Sequence, residues 1–223
     1  MFNSVNTSYY VSDYSNNRVY KLSDTWGYVS FKYFLKPVYI RAISNDLYIS
    51  ADFNIFKTDN KLNVLNQYNS TGILSYRGIY YNPDDTLIYI TSYSVNVIHV
   101  FDLNLFLNDS ISTSTYTPYA IVCYVSQLYV GTSIGVVLVI ANKIIINTFN
   151  GCLGNSGYLN NIKFDQFGYM ITTCYFDNRI YLYNSNGTYA GKSLATATSP
   201  FYTEFDSLGR FVLVTMYQVS LHY

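Results

Sequence analysis

Six stretches of this chain read alike: "YYVSDYSNNRVYKL", "LYISADFNIFKTD", "IYITSYSVNVIHVFD", "LYVGTSIGVVLVIA", "YMITTCYFDNRIYLYNSNG" and "FVLVTMYQVSLHY". With Tyr10, Tyr48, Tyr89, Tyr129, Met170 and Val212 as equivalent anchors, the spacings are 38, 41, 40, 41 and 42 residues. Each anchor run has an upstream partner, "KPVYIRAIS", "YRGIYYNPDD", "TPYAIVCYVS", "NNIKFDQFG" or "PFYTEFDSLG", separated from it by turn residues such as Asn45-Asp46 or Pro83-Asp84-Asp85. Strand, turn, strand at an even period of about 40 residues is the mark of a β-propeller, one four-stranded antiparallel blade per repeat. The expectation is therefore an all-β, six-bladed β-propeller forming a single domain over 1–223. Its first inner strand is short (Phe2 to Val5), and its last blade lacks an outer strand of its own.

Composition supports strands. The chain has 27 Tyr and 14 Phe, and Glu204 is its single glutamate. Tyr, Val, Ile and Thr suit a pleated, half-buried surface, whereas helices favour Glu, Lys and Ala. Formal charge is zero, with 13 basic and 13 acidic residues, which argues against a nucleic-acid partner because phosphate binding needs a concentrated positive field. The longest apolar run, Ile134 to Ala141, falls far short of the roughly 20 residues of a membrane-spanning helix, so no membrane span is expected. The opening "MFNSVNTS" shows neither a basic region nor an apolar stretch, so no signal peptide is read from it.

Val11-Ser12-Asp13 through Asn17-Arg18-Val19 follows the order Val-Ala-Asp, a spacer, Arg-Val, and so resembles the NHL-repeat family of β-propellers. Asp177-Asn178-Arg179-Ile180 repeats the second half of that signature. The resemblance implies that Asp13 and Arg18 lie close and stabilise their blade, with Asn17, Asp177 and Arg179 as further motif residues. In the other copies the Asp position reads Ala51, Ser92, Thr132, Thr173 and Thr215.

Few residues invite chemistry. His99 and His222 both sit in strand patterns, far from the clustered ligands of a zinc site, and no metal or other cofactor is expected. Arg41, Lys163 and Glu204 fall at nearby offsets on inner strands, either as a polar channel mouth for a small anion or as a structural salt bridge. Cys152 and Cys174 are candidates for a disulfide, with Cys123 left as a free thiol. Asn6, Asn69, Asn108 and Asn186 head Asn-x-Ser/Thr sequons, and Asn186 lies at a hairpin tip. The strand carrying Val219, Leu221 and Tyr223 has no Lys, Pro or acidic residue and reads as an open edge inviting another strand.

These features favour a non-catalytic scaffold outside cells that binds protein and self-associates through the open edge, with glycans as further partners. A sugar- or small-ligand-binding propeller is the second reading, and a propeller hydrolase or lyase the third.

Overall fold

The computed structural model describes residues 2–5, 8–70, 75–154, 157–196, 199–205, 211–215 and 219–222. For 2–5, 192–196, 204–205, 211–212, 214–215 and 219–222 it describes the backbone alone. The chain divides into two compact units, Met1–Ile111 and Ser112–Tyr223. All regular elements of the described residues are strands, and no helix is long and apolar enough to cross a membrane.

In the first unit, β1 (Phe2–Val5), β2 (Ser8–Asp13), β3 (Arg18–Ser23) and β4 (Tyr28–Tyr33) pair in that order. So do β5 (Pro37–Ile43), β6 (Asp46–Ala51), β7 (Asn54–Thr58) and β8 (Val64–Asn69). The next sheet holds β9 (Tyr76–Asn82), β10 (Leu87–Ser92), β11 (Val97–Phe101) and β12 (Leu107–Ser112). The second unit has β13 (Pro118–Tyr124), β14 (Gln127–Thr132), β15 (Val136–Ala141) and β16 (Ile144–Asn150), then β17 (Leu159–Phe164), β18 (Met170–Cys174), β19 (Arg179–Tyr183) and β20 (Tyr189–Thr196). A three-stranded sheet of β21 (Pro200–Phe205), β22 (Phe211–Thr215) and β23 (Val219–His222) follows.

The fold is an all-β β-propeller, but the expected six blades are corrected to five, because five sheets carry the full set of four strands. Counting anchors counts repeats, whereas a blade is complete only when four strands pair. A second adjustment concerns the fifth copy. Counted from its irregular first pairing, Ile171 opposite Lys163 is the equivalent of Tyr129 opposite Val122, so the anchor is Ile171 and not Met170. A shift of one residue exchanges the two faces of a strand, which makes such a slip consequential.

β18 is buried throughout, while β8 exposes most of its residues. In the first unit Tyr10, Val19, Phe34, Ile40, Leu47, Ile49 and Leu62 form one core cluster. In the second, Tyr129, Val137, Leu159, Ile162, Met170 and Tyr181 belong to another.

Two recurrent hydrogen bonds explain why the repeat is written as it is. Three of the four anchor tyrosines reach a turn of the following sheet: Tyr10 donates to the Asn60 carbonyl at 2.7 Å, Tyr48 to Leu103 at 2.8 Å and Tyr129 to Ser185 at 3.2 Å, whereas Tyr89 donates to Asp85 of its own hairpin at 2.7 Å. A strand side chain this long and polar-tipped can bury its ring between sheets and still satisfy its hydroxyl. The second concerns a bulge near the start of each first strand from β5 onward, where pairing shifts by one residue. A bulge strands a backbone N–H. The Ser50 hydroxyl accepts that of Tyr39 at 3.2 Å and donates to the Arg77 carbonyl at 2.6 Å; Thr91 accepts that of Gly78 at 2.8 Å. This accounts for Ser50 and Thr91, each two residues past its anchor.

The buried His99 meets the Tyr76 hydroxyl through Nδ1 at 3.3 Å, and its ring abuts Phe101. Burial holds its pKa below the usual histidine value. The unfolded chain therefore takes up the proton first, so stability falls as pH drops below about 6.5. Denaturant midpoints measured between about pH 7 and pH 5 are expected to decline less steeply in His99→Phe than in the wild type. Equal slopes would show that His99 does not contribute.

Candidate functional site

The turn between the second and third strands of a sheet is tight and ends on a residue with positive φ, filled by Asn17 (56°), Asn96 (53°) and Asn178 (53°). Asparagine tolerates that conformation and adds a side-chain acceptor. Asn17 Oδ1 accepts from the Lys36 N–H at 2.8 Å and Asn178 Oδ1 from Ser199 at 2.7 Å, each pinning the entry to the next sheet. Residues at the turn apex cannot reach the core. Tyr14, Phe53 and Val95 in the first unit, and Ile134 and Phe176 in the second, are large apolar side chains left exposed there.

In the second unit these exposed positions join a row of rings. Tyr119 and Phe201 each follow a proline and occupy a bulge, the irregularity that re-aims a side chain out of strand alternation. Ring centroids lie 5.0 Å apart for Tyr119–Tyr158, 5.3 Å for Tyr158–Phe176, 5.0 Å for Phe176–Tyr175 and 6.4 Å for Tyr175–Phe201. Phe176 is 57% exposed, and the other four rings are half-buried. The result is an aromatic shelf, with Ile134 and Leu153 as further exposed apolar residues of this unit.

Cys152, Gly154 and Tyr158 are each tied to the residues around the end of β18. Cys152 and Cys174 are joined by a disulfide, with Cα atoms 5.7 Å apart. The Gly154 N–H donates to Asp177 Oδ2 at 2.9 Å, and the Tyr175 N–H donates to the Tyr158 carbonyl at 3.0 Å. A Cβ on Gly154 would collide with the Asp177 carboxylate, so glycine permits that approach. The Tyr181 hydroxyl donates to Asp177 at 3.1 Å; burial first, then the carboxylate, raise its pKa.

The first unit places charge where the second places rings. Asp52, nearly buried, takes Lys36 Nζ at 3.2 Å, Arg77 at 3.7 Å and the Ser75 hydroxyl at 3.5 Å. Lys36 lies 5.7 Å from the Tyr14 ring and Arg77 5.6 Å from the Tyr93 ring. Hydrogen bonding to Asp52 and its charge raise the Lys36 pKa. This cluster ties adjacent strand entries together.

The residues singled out in the sequence scatter. Asp13 and Arg18 are cross-strand partners, yet Asp13 accepts from the Asn16 backbone at 3.1 Å and its Nδ2 at 2.8 Å. The Arg18 guanidinium instead lies 4.4 Å from the Phe31 ring and donates to the Tyr33 hydroxyl at 3.1 Å. Arg179 is exposed and Asp177 belongs to the staple. Arg41 lies half-buried in the first unit; Lys163, in the second, stands 5.8 Å from the Tyr202 ring. Glu204 pairs with Val212 through the backbone, its side chain lying outside the described residues. Asn69, Asn108 and Asn186 are exposed, whereas Asn6 lies outside the described residues. Val219 and Leu221 are in β23, paired with β22, and Tyr223 lies outside the described residues. Sequence reasoning missed the shelf; its signals were Pro118-Tyr119, Pro200-Phe201 and the pair Tyr175-Phe176.

No family model matches the chain, and no curated protein matches it. Solved structures do. A streptogramin B lyase structure superimposes with TM-score 0.76 at 15% identity, covering 99% of this chain and 78% of that one. A chain of a mitotic checkpoint complex gives 0.75 at 12%, covering 96% and 70%. The Pan2 WD40 domain of Neurospora crassa gives 0.75 at 8%, covering 99% and 73%. At such identities the likeness establishes the β-propeller fold alone.

Proposed function

We propose that this β-propeller is a non-catalytic recognition module whose aromatic shelf binds a protein partner. The observation that carries the reading is the continuous row Tyr119, Tyr158, Phe176, Tyr175 and Phe201, open to solvent at Phe176. Aromatic rings give large contact area at low entropic cost and dominate binding energy at protein interfaces. The WD40 likeness agrees with such a role, and the lyase likeness keeps an enzymatic reading as the alternative. The same proposal places the protein among NHL-like propellers, on the strength of Asp13, Asn17 and Arg18, and outside cells. Exposed Asn69, Asn108 and Asn186, open to glycans, support that location, and glycan-free protein from its native source would count against it. Self-association through the β23 edge belongs to it as well.

A photo-crosslinking residue at position 176, with one at exposed Ile144 as control, tests the reading in the native source. Protein captured at 176 and not at 144 is the expected result, whether a second copy of this chain or another protein. Phe176→Ala should then weaken binding of the purified partner by about 2 kcal/mol or more. Capture of a glycan would replace the protein partner by a sugar, and equal yields at both positions would sink the shelf as the site.

A further inference from the structure

We propose that the Cys152–Cys174 disulfide is the oxidised form of a metal site, and that on reduction both sulfurs and the Asp177 carboxylate bind a thiophilic divalent cation such as zinc. Their ligand atoms already lie within 4.8 Å of one another. Cys174 and Asp177 are brought together by the end of β18 and the turn after it, and Cys152 joins them from the stretch that follows β16. Metal–sulfur bonds of about 2.3 Å in tetrahedral geometry put two sulfurs just under about 4 Å apart. Side-chain rotation supplies that separation.

Hydrogen bonds hold the ligands in place alongside the covalent bond. Asp177 is oriented by the Gly154 N–H and the Tyr181 hydroxyl. The Cys152 N–H donates to the Gly135 carbonyl at 3.1 Å, and the Thr172 hydroxyl donates to Gly151 at 2.7 Å. Such supporting hydrogen bonds hold ligands ready for a metal. Both cysteines are buried, whereas Asp177 is half-buried, which leaves an entry and a fourth position on the carboxylate side. Two thiolates with one carboxylate select zinc-like cations over calcium or magnesium, which prefer all-oxygen shells.

The chemistry balances. A dithiol donates two electrons and two protons to the S–S bond, leaving two thiols and its own cyclic disulfide. Binding of the cation then releases both thiol protons. A small-molecule disulfide takes the two electrons back, becoming two thiols as the Cys152–Cys174 bond re-forms and the metal is released.

The test uses the full chain carrying Cys123→Ser, which removes the third thiol. The protein is reduced with a water-soluble phosphine, freed of reagent under anaerobic conditions, and titrated with cobalt(II). Retention of the strand signature in circular dichroism and two free thiols per chain are verified first. Expected are sulfur-to-cobalt charge-transfer absorption saturating at one equivalent, its displacement by zinc, and no such absorption in the oxidised protein. Asp177→Asn should weaken binding by about tenfold or more, and Cys152→Ser with Cys174→Ser should abolish the absorption. A folded, reduced protein lacking the absorption, or one indifferent to Asp177, overturns the proposal, as does a disulfide that resists reduction while the fold persists.

Discussion

Tyr48→Ala is expected to lower folding stability by about 3–5 kcal/mol, the range for emptying a buried aromatic site. The Tyr48 ring is 1% exposed between sheets of the first unit, and its hydroxyl donates to the Leu103 carbonyl at 2.8 Å. Burial, reinforced by Asp46 and Asp102, raises its pKa far above the usual tyrosine value, so it remains a donor throughout the working range. Tyr48→Phe keeps the ring but orphans the Leu103 carbonyl, and should cost about 1–2 kcal/mol. The difference between the two variants separates packing from the inter-sheet hydrogen bond. Urea or guanidinium midpoints measure both. A Tyr48→Phe protein as stable as the wild type would refute a stabilising role for that bond, and with it the reason given for tyrosine at the anchor of the repeat.

Removing the disulfide by Cys152→Ala with Cys174→Ala should cost about 3 kcal/mol on the loop-closure account of an unfolded-state cross-link. The bonded residues are 22 apart, which closes a moderate loop. The native staple retains its hydrogen bonds through Gly154, Asp177, Tyr175 and Tyr158, so the loss should fall on global stability more than on the shape of the shelf. Denaturation of the double variant and of the oxidised wild type, both without reductant, gives the difference. A change below about 1 kcal/mol would mean that the unfolded chain is already compact around this loop.

Much of the fold was legible because strand propensity and turn chemistry act over a few residues. Tyr10, Tyr48, Tyr89 and Tyr129 announced their strands, and the pairs they form in β2, β6, β10 and β14 follow that register. The anchor spacing gave six blades where the structure has five, since it reports repeats and not sets of four paired strands. The candidate site was less readable still. Cys152 and Cys174 stood out as a pair, but Tyr119 and Phe201 looked like ordinary inner-strand residues until the bulges turned them outward. Arg18 carried a family signature suggesting a carboxylate partner; aromatic neighbours on β4 claimed it instead.

Residue order alone was enough to specify an all-β repeat, its period and its turn residues, because each depends on neighbours within one hairpin. Folding settled the rest, above all which rings meet. The contacts responsible span long stretches of chain, as Tyr48 to Leu103 does across 55 positions, and no local pattern encodes a distance of that kind.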